Sequence, residues 1–441
     1  MKDFIKWLLS KIKLRKKFFL LILSLYIIIF ATFYIKRNKL NKKIKVAFYC
    51  DSIKYGGVER VCSLLINYLS NERNFTFYLI TNKGKLEGEY VIPKNIKRTF
   101  LYGRNWNLIR TINIQRIDIL IYNFYEVKEI EKLNKLKKTK VIYYNHSSFL
   151  YWIYFHKYNF QKTVYYIYRK CNYVISLIPL ENDYLFKKWG INSILMDNPT
   201  TYNYDLIIPS DLSQKIIIMI GRASDEIKRY DIGIKAMKNI IKEIPESKMK
   251  IISEINEKYQ RLIIDLSLEK NVIFTGYQKN NENYLKNASL HILPSLSEGY
   301  SMALGEAKIF GIPSIICGLD YLALAKGGTI IIYDDNPDTV AKKAILILKD
   351  DNYRKKLGIE ARKSMETHKN ELIIKKWVNL LLAVYNRNIE FFRELQKSDK
   401  YNKLSNEEAE NIINNQFYLL KKRISFFSNI TIEQFKLYSF Y

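Results

Sequence analysis

Twice along this chain, short runs of β-branched and aromatic residues alternate with helical patterns, and a break separates the two rounds. The first round contains Ile44–Tyr49, Phe75–Ile80, Ile117–Tyr122, Val141–Tyr144 and Tyr173–Leu177. These runs are mostly apolar throughout rather than alternating, as strands covered on both faces of a parallel sheet require. After the first run, Val58, Val61, Cys62, Leu65, Ile66 and Leu69 fall on one stripe of a helix. The stretch Asp197–Gln214, with Asn198-Pro199 and Pro209, reads as a linker. The alternation then restarts with Lys215–Ile220, Lys248–Ile252, Asn271–Phe274, Ser289–Leu293, Pro313–Ile316 and Thr329–Ile332. The expected fold is therefore α/β, with two Rossmann-like, doubly wound sheets at 44–212 and 213–390 facing across a cleft. In such sheets ligands bind beyond the carboxyl ends of the strands. A length of 441 residues suits two domains with appendages, and 48% hydrophobic residues exclude bulk disorder.

The appendages are residues 1–43 and 391–441. Phe18–Ile35 is free of charge and mostly apolar, and as a helix it would reach about 27 Å, close to the roughly 30 Å core of a bilayer. Arg15, Lys16 and Lys17 precede it, and Lys36, Arg37 and Lys39 follow. No small-x-small cleavage site is present, so an uncleaved membrane anchor is expected rather than a signal peptide. Ahead of it, Phe4, Ile5, Leu8, Leu9 and Ile12 recur at helical spacing, as in an interfacial helix. Basic residues on both flanks leave the orientation undecided by the positive-inside count. The tail is rich in aromatic residues. It reads either as a docking segment for a membrane or partner, or as a helix pair packed on the N-terminal domain.

The net charge of +29 is concentrated toward the front, where residues 1–43 carry 12 Lys and Arg against Asp3 alone. Such a surface meets either nucleic acid or anionic lipid. With no zinc-finger, RNP or KH signature, the expected partner is an anionic membrane surface and not nucleic acid. The four cysteines are scattered without a CxxC pair, which suits reduced, buried thiols in a cytosolic domain. The four histidines show no metal-ligand spacing, so no metal site is expected.

Three motifs carry chemistry. The first strand runs into Asp51 and then Gly56-Gly57-Val58-Glu59. Two glycines opening a helix let backbone N–H groups approach a phosphate, although such a pair also serves tight turns. The second half opens with a strand followed by Gly221-Arg222 and Lys228-Arg229. A forked guanidinium and a point-charge ammonium there suit a diphosphate, and a solvated charged turn is the plainer reading. The third motif is Pro294-Ser-Leu-Ser-Glu298-Gly299-Tyr300-Ser301-Met302, continuing to Glu306 and Gly311-Ile-Pro313. Gly299 is expected to turn the chain into a helix starting near Ser301, whose first N–H groups can hold phosphate oxygens. Glu298 and Glu306 can then face one cleft and accept hydrogen bonds from vicinal hydroxyls.

With these motifs in this order, joined by Asn198-Pro199 and Thr275-Gly276-Tyr277, the sequence resembles a family 4 retaining glycosyltransferase of the GT-B fold over about residues 44–390. The resemblance is to the group that includes bacterial lipopolysaccharide and capsule sugar transferases. It implies that Arg222 and Lys228 bind the donor diphosphate and that Glu306 binds the ribose hydroxyls. Glu298 would contact the transferred sugar, the amides of Tyr300, Ser301 and Met302 would hold phosphates, and Gly276 and Tyr277 would lie near the base. Members often carry a histidine at the strand end where His146 stands; from the residues alone, His146 is equally a satisfied loop histidine. His291, inside a strand, reads as a core residue. Arg229 departs from the family, since many members have glycine after the lysine.

The expected activity is retaining sugar transfer without metal or cofactor. The donor would be a nucleotide diphosphate sugar, and the acceptor a glycan or glycolipid bound by the N-terminal domain at the cytoplasmic membrane face. Glu298, Arg222, Lys228 and His146 are the catalytic candidates. Two rivals stand beside it: a sugar-nucleotide epimerase of the same fold, and a non-catalytic membrane-bound protein that binds an anionic glycan.

Overall fold

The computed structural model describes Tyr26 and residues 43–441 apart from 105, 125–126, 152–158, 186–189, 192, 399–403, 425–428 and 435–441. The expected membrane segment 18–35 lies outside the described residues except for Tyr26, and no helix among the described residues is long and apolar enough to cross a membrane. The chain divides into two compact units. In the smaller, residues up to Ile44 with Glu72–Thr76, the Ile44 amide donates to the Asn74 carbonyl at 2.9 Å. The larger, Lys45–Asn71 with Phe77–Tyr441, carries nearly all of both sheets and the whole of the site described below.

The first sheet has seven strands: β1 (Ile44–Cys50), β2 (Phe75–Thr81), β3 (Lys97–Phe100), β4 (Ile119–Tyr122), β5 (Lys140–Tyr144), β6 (Tyr173–Ser176) and β7 (Ser193–Leu195). Their order is β3-β2-β1-β4-β5-β6-β7. The second has six: β8 (Ile216–Ile220), β9 (Lys248–Ile252), β10 (Val272–Phe274), β11 (Leu290–Leu293), β12 (Ser314–Cys317) and β13 (Thr329–Ile332), in the order β10-β9-β8-β11-β12-β13. Pairing is parallel, with Val46 opposite Ile119 and Leu290 opposite Ile217. The apolar runs predict eleven of these strands. They miss β3, whose Lys97-Arg98 keeps an edge strand solvated, and β7, which is only three residues long. Each sheet reverses its order once, between β1 and β4 and between β8 and β11. A crevice forms at such a reversal, beyond the carboxyl ends of the strands.

Six helices matter here: α1 (Gly57–Leu69), α2 (Tyr230–Glu243), α3 (Met302–Ile309), α4 (Asn370–Asn386), α5 (Ile389–Ser398) and α6 (Asn406–Arg423). The α1 stripe read from the sequence is buried at Val61, Cys62, Leu65, Ile66 and Leu69. The chain crosses between the halves twice. It leaves the first sheet after β7 and returns through α4, whose buried Trp377 lies 5.3 Å from the Tyr144 ring. The crossings are bonded side by side. Thr200 donates its amide to Asn370 Oδ1 at 2.8 Å, Asn370 Nδ2 donates to the Thr200 carbonyl at 3.1 Å, and His368 Nδ1 lies 3.1 Å from Asp197.

The tail is split. In α5, Phe392 stacks on Tyr173 of the first half at 4.5 Å, as the helix-pair reading expects. The longer α6 packs instead on the second half, beside the segments that follow β12 and β13, where Gln416 donates to the Gly318 carbonyl at 2.6 Å. That corrects the placement of the tail on the N-terminal domain alone. At Gly318, φ is 63°, and an added Cβ would lie 2.2 Å from Leu419 Cδ1, so α6 packs directly on the backbone there.

Candidate functional site

A cavity of about 340 Å³ opens at the carboxyl ends of β1, β8 and β11 and takes its lining from both halves. From the second half, β8 runs into Gly221, where a φ of 152° and crowding by the Tyr230 hydroxyl (3.0 Å from an added Cβ) disfavour a side chain. A short turn, Glu226–Lys228, follows, capped by Asp225, which accepts from the Ile227 amide at 3.2 Å. It delivers Lys228 to the cavity, where Nζ donates to Glu298 Oε1 at 2.6 Å. Arg222 stays 59% exposed, with Asp225 no nearer than 3.9 Å, so its guanidinium has reach in hand.

The segment between β11 and α3 brings the other predicted residues. The Glu298 amide donates to the Tyr321 hydroxyl at 3.0 Å, which anchors the backbone beneath the carboxylate. Gly299 serves closeness as well as turning: an added Cβ would lie 1.9 Å from the His146 carbonyl oxygen of the other half. Nearby, the Ser148 and Ser297 hydroxyls meet across the halves at 2.5 Å. Ser301 sits at φ 64° just outside α3, and its Oγ accepts from the Leu304 amide at 3.4 Å. Tyr300, Ser301 and Met302 line the cavity, which places the positive end of α3 against it. The buried Tyr300 hydroxyl lies 3.3 Å from His368 Nδ1. Gly276, at φ 76°, leads into Tyr277, whose exposed ring stands edge-on to Tyr55 at 5.0 Å.

Glu306 is the most enclosed of the predicted set, at 1% exposure. Its carboxylate is already engaged by Arg60 Nη2 at 2.9 Å, by the Thr201 hydroxyl at 2.9 Å and by Asn281 Nδ2 at 3.2 Å. Arg60 was not read from the sequence. Its signal was position: it stands next to Glu59, one turn into the helix that Gly56 and Gly57 open. Burial opposes the charge on Arg60, and Glu306 overcomes that and raises its pKa. Gly56 is extended at φ −169°, and an added Cβ would meet the movable Glu59 carboxylate. At Gly57 a Cβ would meet only open space, within the cavity that its backbone lines.

His146 lines the cavity at the end of β5, with its ring 4.1 Å from Tyr144. Burial pushes its imidazole down to about 3, so it is neutral near pH 7. Asn123 fixes the tautomer: its Nδ2 donates to the Tyr49 carbonyl at 3.1 Å, so Oδ1 faces His146 Nε2 at 2.8 Å. The proton therefore sits on Nε2, and Nδ1 is left as the acceptor. Behind this segment the buried Glu181 accepts from the Phe149 amide at 2.6 Å and from Asn145 Nδ2 at 3.1 Å, bracing both sides of His146-Ser147-Ser148. Burial pushes Glu181 up to about 8. Nothing in the sequence marked either Asn123 or Glu181. His291 is buried inside β11, with Nδ1 3.3 Å from the Ser314 hydroxyl, as expected of a core histidine. Among the described residues no cluster of three or more His, Cys, Asp or Glu could hold a metal ion.

Lys228 and Arg222 can carry the charge of a phosphate pair. Glu298 and Glu306 can accept hydrogen bonds from hydroxyls, and α3 begins between them. Comparison with known proteins gives the same direction. A family model described as glycosyl transferases group 1 matches residues 206–364. The poly(glycerol-phosphate) alpha-glucosyltransferase of Bacillus subtilis is 29% identical over 203 residues, which is 44% of this chain and 30% of that protein. The GalNAc-alpha-(1->4)-GalNAc-alpha-(1->3)-diNAcBac-PP-undecaprenol alpha-1,4-N-acetyl-D-galactosaminyltransferase of Campylobacter jejuni is 22% identical over 367 residues, covering 78% of this chain and 99% of that one. The match spans between 30% and 61% of the first three curated relatives. Staphylococcus aureus TarM, solved with fondaparinux, alpha-GlcNAc-glycerol and UDP, superposes with a TM-score of 0.63 at 14% identity over 77% of this chain and 99% of that one. That similarity supports the two-sheet GT-B fold.

Proposed function

We propose that this chain, whose residues 206–364 belong to the group 1 glycosyl transferases, moves a sugar from a nucleotide diphosphate donor to a glycan or glycolipid acceptor, with retention at the anomeric carbon. The observation that carries the reading is the meeting of Lys228, Arg222, Glu298, Glu306 and the start of α3 around one cavity. The donor enters by exchange. Its diphosphate takes Lys228 from Glu298 and recruits the exposed Arg222, and both cations then stabilise the charge that builds on the leaving group. Its ribose hydroxyls reach Glu306, at the expense of contacts now made by Arg60 and its neighbours. Glu298, released from Lys228, faces the transferred sugar, while the amides of Tyr300, Ser301 and Met302 hold phosphate oxygens. Gly276 and Tyr277 flank the base.

His146 offers its Nδ1 acceptor to a donor-sugar hydroxyl from the opposite wall. The leaving phosphate assists deprotonation of the acceptor on the same face from which it departs, which gives retention without a covalent intermediate. Neither metal nor cofactor is needed in this scheme. The acceptor binds on the N-terminal half, and the basic front of the chain brings the enzyme to the cytoplasmic face of an anionic membrane.

The test is calorimetry and turnover with a panel of nucleotide sugars, with and without lipid-linked and polyol-phosphate acceptors. At least one donor should bind, and acceptor-dependent release of the nucleotide should yield an α-linked product from an α-linked donor. Excess EDTA should leave the rate within about tenfold, a change of roughly 1.4 kcal/mol in barrier. Formation of an epimer from donor alone would favour the epimerase, and binding without turnover would favour a glycan-binding protein.

A further inference from the structure

Two unrelated segments hold Lys228 and Glu298, and both lead back to one helix in the tail. Arg229 follows Lys228 at φ 48°, a left-handed conformation that glycine adopts without strain. The reason for an arginine there lies in its side chain: Nη1 is 2.7 Å from Asp335 Oδ2. On its other oxygen Asp335 accepts from Arg423 Nη2 of α6 at 2.5 Å, and Arg423 is itself only 6% exposed. The second route runs through Asp320. Gln416 of α6 donates to Asp320 Oδ1 at 2.6 Å, and Asn415 donates to Oδ2 at 3.1 Å. The next residue, the buried Tyr321, makes two hydroxyl contacts to the Glu298 backbone, accepting from its amide at 3.0 Å and donating to its carbonyl at 3.2 Å.

We propose that α6 is a positioning element of the donor site, clamping the Lys228 turn through Arg423, Asp335 and Arg229 and the Glu298 segment through Gln416, Asp320 and Tyr321. This inference rests on reading the cavity as a nucleotide-sugar site. Neither route needs α6 to touch substrate. Each fixes a backbone segment whose neighbouring side chain does. The two clamps have different consequences. The Arg423 route governs Lys228 and so the grip on diphosphate, in ground and transition states alike. The Gln416 route governs Glu298 and so the transferred sugar, where the interaction strengthens as the bond to phosphate breaks.

The experiment uses the full chain, with calorimetry against UDP and GDP, turnover with the matching nucleotide sugars, and a thermal midpoint for every variant. Arg423→Ala should weaken nucleoside diphosphate binding by roughly 5- to 20-fold, in the range of a network contact. Arg423→Lys, which keeps a charge for Asp335, should recover most of that loss. Gln416→Ala should leave nucleotide binding within about twofold and lower the turnover number by roughly 5- to 20-fold. Lys326→Ala removes an exposed contact to Glu408 of α6 that belongs to neither route, and should change nothing. In an Arg229→Gly background, Arg423→Ala should have almost no further effect on binding. Losses in binding and turnover that simply follow the thermal midpoint, or variants that behave as wild type, would overturn the positioning role while leaving the cavity reading intact. A wild-type chain that binds neither nucleotide would overturn the cavity reading and this inference with it.

Discussion

From the second sheet the cavity receives charge: Lys228 against Glu298, an exposed Arg222, an enclosed Glu306 and the positive end of α3. From the first sheet it receives chiefly backbone and neutral groups, with Gly56 and Gly57 on one side and an uncharged His146 fixed by Asn123 on the other. Arg60 is the cation the first half brings to this carboxylate cluster, and it is committed to Glu306. On the proposed function, the difference separates two tasks. Holding and neutralising a diphosphate needs fixed charge, which one half supplies by itself. Orienting the sugar and admitting an acceptor needs shape and directed hydrogen bonds, which the other half supplies once the two are closely apposed.

The largest effect should come from breaking that apposition. Gly299→Ala places a methyl group where the His146 carbonyl now stands, 1.9 Å from its oxygen, and both neighbours are backbone. Relief requires the halves to part, and overpacking of this kind costs about 1–3 kcal/mol. The expected result is a fall in kcat/KM of roughly 10- to 100-fold with a near-normal thermal midpoint. If kcat/KM is unchanged, the close approach of the two halves is not needed for turnover.

An effect of similar size should sharpen the comparison within the charged half. Glu306→Ala removes the acceptor proposed for the ribose, which would act alike in ground and transition states, so it should raise the Michaelis constant by the equivalent of roughly 1.5–3 kcal/mol. Glu298→Ala should lower the turnover number more than Glu306→Ala does and leave binding of the free nucleotide nearly normal. Steady-state kinetics with calorimetry decides the matter. Loss of nucleotide binding in Glu298→Ala, with binding intact in Glu306→Ala, would reverse the two roles.

Which of these contacts the sequence could show follows a physical line. The apolar runs and the α1 stripe were legible because burial leaves a period in the residues. Lys228, Glu298 and Glu306 were legible because glycine turns and strand ends place them in order along the chain. Arg60, Asn123, Glu181 and Tyr321 were not, because each acquires its role from a partner distant in sequence: Arg60 from Glu306, Asn123 from His146, Tyr321 from Glu298. Even at Gly299 the sequence indicated a turn, and only the fold shows a carbonyl from the other half pressed against it.

The remaining expected effect concerns protons on two buried histidines, one in each half. His146 and His291 are each pushed by burial from 6.5 down to about 3. The unfolded chain therefore binds more protons than the folded one between those values. Stability from these groups is present above pH 6.5 and is lost as pH falls toward 3. Thermal midpoints measured from pH 7 to pH 4 should fall, and His146→Gln should flatten the acid side of that curve. A variant whose curve keeps the wild-type slope would mean that His146 titrates normally in the folded state.

The paired crossings limit how such a molecule can move. A single connector would let the two halves swing, tilt and twist about three axes. Here Thr200 and Asn370 exchange two hydrogen bonds, and Asp197 meets His368 beside them, so the two connectors move as one strip. A strip bends readily across its width and resists torsion, which leaves one soft angle between the halves. On the proposed function, opening to admit a donor and closing over it would retrace a single arc. Each closure would return Gly299 to the His146 carbonyl in the same register, with no separate search for alignment.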